Sequence, residues 1–127
     1  MEAARPRVLV VVRDARLRAA VAATLRAYGM QVVHCESVES VPAGLTGAPG
    51  EVVLLDWSKT DGLLTEDRRA DMRQLCRLTP IVLLVPERWM RLVTAEEFGV
   101  ARLLSKTAGM ASLLEALLSA ARAEAAG

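Results

Sequence analysis

Apolar residues along the chain gather into five short runs, separated by stretches in which they recur every three or four positions. The runs are VLVVV at 8–12, MQVVHC at 30–35, EVVLLD at 51–56, PIVLLV at 80–85 and ARLLS at 101–105. Runs this rich in Val, Ile and Leu suit strands covered on both faces. After Asp14, Leu17, Val21, Thr24, Leu25 and Tyr28 share one helical face, with Gly29 as the stop. Pro42, Gly44 and Gly47 hold a second helix near 38–46 to a turn or two. A third helix is expected from Thr65 to Leu78, with Glu66 and Asp67 in its first turn and Met72, Leu75, Cys76 and Leu78 as its apolar side. A fourth is expected from Glu87 to Glu97, carrying Trp89, Leu92 and Val93, with Phe98 and Gly99 after it. The fifth, Met110 to Ala125, is rich in Ala and Leu, and its AEAAG end is expected to fray.

Strand and helix thus alternate five times. That order predicts a doubly wound α/β domain: a five-stranded parallel sheet, right-handed crossovers, and about five helices on its two faces. The 127 residues suit one domain over 1–127, without an internal repeat or a low-complexity linker. A net charge of +1 gives no electrostatic case for direct nucleic-acid binding. Cys35 and Cys76 lie far apart with no CxxC, so they read as reduced thiols rather than zinc ligands or a disulfide. The sequence has no basic start followed by a long apolar stretch and no run of membrane-spanning length, so a cytoplasmic protein away from membranes is expected.

Ligand sites of open α/β sheets lie beyond the carboxyl ends of the strands. Those ends carry Arg13 and Asp14, then Asp56, then Lys106. Taken in order, several features make the chain resemble the receiver domain of two-component response regulators. They are the apolar strand entering Arg13-Asp14, Arg18 and Leu25 in the first helix, and Tyr28-Gly29 at its end. VVLLD ending at Asp56, Asp61-Gly62, PIVLLV, Gly99, and LLSK ending at Lys106 complete the series. The resemblance spans nearly the whole chain and implies a flavodoxin-like sheet. It also implies an aspartate that takes a phosphoryl group from a histidine kinase, with two acids after the first strand holding Mg²⁺. A Ser or Thr after the fourth strand and a Lys after the fifth would bind the phosphoryl oxygens. Such chemistry brings negative charges together and needs a divalent cation to offset them.

The correspondence breaks at most of that chemistry. The acidic pair falls on Val12 and Arg13, the hydroxyl on Val85, the switching aromatic on Leu103, and the proline after the lysine on Thr107. Asp14 stands one place late for the main ligand, and the loop between Asp56 and Asp61 is about two residues short for the family. Asp56 and Lys106 remain. The expectation is therefore a vestigial site: no catalytic residue, Mg²⁺ binding lost or weak, and Asp56 paired with Lys106, Arg13 or both. Arg13 either folds over Asp56 in place of a metal charge or reaches to solvent.

The function expected is that of an atypical, phosphorylation-independent receiver, not an enzyme, serving as a protein-interaction module in bacterial signal transduction or transcription control. A protein partner or a second copy would dock on the face of the fourth helix, fifth strand and fifth helix, with Trp89, Val100, Arg102, Leu103 and Leu114 as candidates. A DNA-binding output domain could follow Gly127 in a longer chain. Two alternatives stand beside this reading. One is a working receiver phosphorylated on Asp56, with Asp14 serving the metal. The other is a receiver-like domain sensing a small ligand, although VRDARLR has no glycine to cradle a phosphate.

Overall fold

The computed structural model describes residues 6–57 and 66–126, with side chains over 6–57 and 70–122. Five parallel strands, β1 (Arg7–Val11), β2 (Gln31–His34), β3 (Glu51–Asp56), β4 (Ile81–Val85) and β5 (Arg102–Ser105), pair in the order β2-β1-β3-β4-β5. Helices α1 (Ala15–Ala27), α2 (Val41–Gly44), α3 (Glu66–Cys76), α4 (Ala95–Phe98) and α5 (Met110–Ala126) connect the strands or follow them. The expected doubly wound fold is present.

The alternating direction of strand side chains explains the unbroken apolar runs. Val8, Val10, Val52, Leu54, Val82 and Leu84 join one core with Val21 and Leu25 of α1 and Leu113 and Leu117 of α5. Their neighbours Leu9, Val11, Val53, Leu55, Leu83 and Val85 join a second core with Val41, Met72, Leu75, Val93 and Phe98. The sheet is buried between the two, and all six residues of β3 are buried. Chain order reverses between β1 and β3, so the crevice beyond their carboxyl ends is where a site belongs in such a sheet.

Several expectations are corrected. The fourth helix does not run from Glu87 to Glu97: a 3-10 turn covers Glu87–Trp89, and α4 is a single turn. Thr94 breaks it. Its backbone is extended, its hydroxyl accepts from the Glu97 N–H at 3.3 Å, and the Glu97 carboxylate accepts from the Thr94 N–H at 3.2 Å. That reciprocal cap starts a new helix where the apolar period alone continued an old one. Tyr28 lies past the last residue of α1 and is exposed, not on its inner face. The last helix continues to Ala126. Asp61-Gly62 lies outside the described residues.

At the amino ends of the strands a buried carboxylate ties the sheet to the loop before β3. Glu51 accepts from Arg7 Nη1 at 2.6 Å, from the Thr46 N–H at 3.0 Å and from the Gly47 N–H at 2.8 Å. Burial pushes its carboxyl up, but the bonds from Thr46, Arg7 and Gly47 outweigh burial and leave it below the usual range. A carboxyl lowered in the folded state stabilises the fold above its unfolded pKa, and that contribution is lost as pH falls through the folded value. Glu51→Ala should therefore cost about 2–3 kcal/mol at neutral pH. The difference from wild type should shrink below pH 4 in urea titrations followed by circular dichroism.

Candidate functional site

Asp56 ends β3 and stands between β1 and β4, opposite Leu84. Its side chain is 4% exposed, and Lys106 Nζ lies 2.6 Å from its Oδ1. Lys106 follows β5, two strands away, a separation of about 10 Å that requires a long side chain. Its backbone is fixed by its own N–H, which donates to the Val85 carbonyl at 2.9 Å and extends the β4–β5 ladder by one residue. The contact is an ion pair by distance, yet Nζ approaches off the direction of a hydrogen bond, so the buried Oδ1 has no aligned donor. The Trp57 backbone N–H continues the sheet to the Leu84 carbonyl at 2.9 Å. Its indole packs against Phe98 with ring centroids 6.2 Å apart, and its buried Nε1 has no acceptor.

Asp56 and Trp57 border a small cavity of about 80 Å³, lined also by Arg13, Glu36, Ser37 and Glu39. Arg13 is exposed and shares this cavity with Asp56. Asp14 is turned to another task. Its carboxylate caps α1, accepting from the Arg16 N–H at 2.8 Å and the Leu17 N–H at 3.0 Å. Those two backbone bonds hold its carboxyl below the usual range. Val12 is buried, and its carbonyl accepts from Arg18 Nη1 at 3.1 Å. Val85 is fully buried in the second core and offers no hydroxyl.

The five candidate docking residues separate. Val100 and Leu114 are buried, because they complete the two cores, and are corrected as surface contacts. Trp89 and Leu103 are half-buried against the second core, and Arg102 Nη1 lies 3.3 Å from Glu115 Oε2 across the β5–α5 surface. Leu92, 68% exposed, follows Trp89 closely in the chain and donates its N–H to the Trp89 carbonyl at 2.9 Å. His34 is exposed on β2. Both cysteines are free; burial raises both thiols, that of Cys76 to about 11, so neither is a ready nucleophile. Glu36 and Ser37 were not foreseen at the cavity. Their signal was position, immediately beyond β2 on the side of the sheet where the other candidates lie.

No protein-family model matches the chain, and no curated protein matches it. Solved structures do. The response regulator StyR is similar with a TM-score of 0.76 and 19% identity over 97% of this chain and 62% of that one. The N-terminal signal receiver domain of a two-component response regulator from Bacteroides fragilis gives 0.73 and 25%, covering 93% of this chain and 98% of that one. A CheY-like response regulator protein from Mesorhizobium loti gives 0.67 and 18%, covering 90% and 97%. The chain has the receiver fold. It spans 62% of the length of StyR. Among the described residues, no helix is long and apolar enough to cross a membrane.

The two members of the ion pair differ in exposure, 28% for the Lys106 side chain against 4% for Asp56. Lys106 can turn to water when Asp56 is lost, whereas Asp56 cannot follow when Lys106 is lost. Lys106→Met should therefore cost about 3 kcal/mol, more than Asp56→Asn at about 1–2 kcal/mol. The double variant should be more stable than Lys106→Met alone. Urea unfolding followed by Trp fluorescence checks all three.

Proposed function

We propose that this chain is an atypical receiver domain of bacterial two-component signalling, a protein-interaction module that works without phosphorylation. The state of the metal positions carries the reading: buried Val12 and the cation Arg13 stand where the acidic pair would, and Asp14 is engaged as the cap of α1. A phosphoacceptor needs an accessible carboxylate and a divalent cation beside it to offset the incoming charge. Asp56 instead lies buried against a lysine, Val12 has no ligating atom, Arg13 is a cation, and Asp14 is engaged as a helix cap. These residues do not fit Mg²⁺, and among the described residues no group of three His, Cys, Asp or Glu is placed to hold a metal ion. The domain then contributes a surface rather than a reaction. Half-buried Trp89 and Leu103 on the second-core side, exposed Leu92 in the connection after β4, and Arg102 on the α5 side of β5 are the surface groups offered to a protein partner or a second copy.

The test is direct. Millimolar Mg²⁺ with acetyl phosphate should leave the fluorescence of the two tryptophans, Trp57 and Trp89, unchanged and give no acid-labile phosphate by intact mass. Phosphate on Asp56 would establish the working receiver instead.

One observation favours a second reading, a receiver-like domain that senses a small ligand. The Trp57 Nε1 donor and the Asp56 Oδ1 acceptor are both buried without an aligned partner beside the cavity. Both atoms are sealed from solvent, so a small polar molecule that accepts from one and donates to the other recovers both hydrogen bonds by displacing a neighbouring side chain. In a thermal-shift screen of small polar metabolites, such a ligand raises Tm in the wild type and not in Trp57→Phe.

A further inference from the structure

The ends of β4 and β5 are joined by a carboxylate that the receiver reading does not use. Glu87 lies two residues beyond Val85, the last residue of β4, and Val85 stands opposite Ser105 in the sheet. Glu87 Oε2 accepts from Ser105 Oγ at 2.6 Å and from Thr107 Oγ1 at 2.6 Å. The two hydroxyls are 2.9 Å apart, and the Thr107 N–H donates to Ser105 Oγ at 3.2 Å. Bonds from Ser105 and Thr107 favour the charged carboxylate and hold the Glu87 carboxyl below the usual range. The residue between those two hydroxyls is Lys106, the partner of Asp56.

We infer that Glu87 is a positioning residue for the Asp56–Lys106 pair. By gripping both chain neighbours of Lys106, it fixes the backbone from which the ammonium reaches Asp56. The Lys106 N–H to Val85 bond and the Ala108 N–H to Ser105 bond at 3.0 Å complete that fixed segment. Glu87 also opens the surface connection 86–93, which carries half-buried Trp89 and exposed Leu92. The latch therefore joins that surface to the buried pair. What moves the connection loosens Lys106, and what breaks the pair frees the connection, because a coupling free energy acts equally in both directions. This holds whether or not Asp56 can be phosphorylated.

A double-mutant cycle on the full chain tests it. Glu87→Ala, Asp56→Asn and their combination are unfolded in urea, and the cycle is repeated in a Lys106→Met background. With Lys106 present, the double variant should lose less than the two singles together, by about threefold in the unfolding equilibrium constant. In Lys106→Met the effects should add. Additivity with Lys106 present overturns the inference and leaves Glu87 as the pin of an exposed loop. A second measurement decides the matter should Asp56→Asn be too unstable to unfold cleanly. The Lys106 Nζ resonance should shift, and its ammonium protons should exchange several-fold faster, in Glu87→Ala than in the wild type. An unchanged Nζ signal overturns the inference.

Discussion

A carboxylate at the end of a strand that is buried along its whole length must be met by a cation or it destabilises the fold. Asp56 is in that position, and Lys106 meets it from two strands away. The pair therefore ties together three strand ends: β3, which supplies the acid, β4, which lies between, and β5, which delivers the base. Everything else at this pole of the sheet is arranged around that requirement. The Lys106 backbone is anchored on Val85, its flanking hydroxyls are held by Glu87, and the indole after Asp56 packs on Phe98.

The polar groups that a doubly wound sheet presents at its switch point are here largely engaged in structure. Asp14 satisfies two backbone donors at the start of α1, and Arg18, one turn along that helix, returns to the Val12 carbonyl beyond β1. Such bonds lower the free energy of the fold at the expense of groups that could otherwise hold a ligand. Oδ1 of Asp56 and Nε1 of Trp57 are the buried side-chain atoms that this economy leaves without an aligned partner among the described residues. A buried polar atom without a hydrogen bond is costly, so the cavity beside them is the part of the pole where added chemistry would be gained most readily.

The fold was legible in the sequence because both cores impose the same local demand. A strand covered on two faces calls for apolar residues along its length, and VLVVV, IVLLV and the VVLL between Glu51 and Asp56 meet that demand. The fourth helix is misread when Phe98 is joined to the helical spacing of Trp89, Leu92 and Val93, although it stands five residues past Val93, one step out of that period. The break was written in Thr94 and Glu97, whose spacing is that of a capping box, a signal weaker to the eye than the apolar stripe it interrupts. The site was half legible. That Asp56 and Lys106 would share one sheet end follows from strand order. That Asp14 turns back to cap α1, and that Glu87, Ser105 and Thr107 meet, depends on loop geometry that no periodicity encodes.

The two faces of the sheet are built unequally, and that difference bears on where the domain can change shape. One face is covered by α1 and α5, the two longest helices, whose apolar sides close over it. The other is covered by α3 and by two single-turn helices, α2 and α4. A one-turn helix cannot sustain itself by its own hydrogen bonds and depends on the contacts of its flanking segments. On this thinner face, Leu78 and Leu92 are exposed, and an open cleft of about 590 Å³ separates α2 from α3 beside Leu75 and Pro42. Both faces bury an apolar core of similar size, so what distinguishes the α2–α4 face is the shortness of two of the helices that cover it. The Glu87 carboxylate lies at the edge of that face, where the connection 86–93 leaves β4, and ties that connection to the segment that carries Lys106 to the buried pair at the end of the sheet.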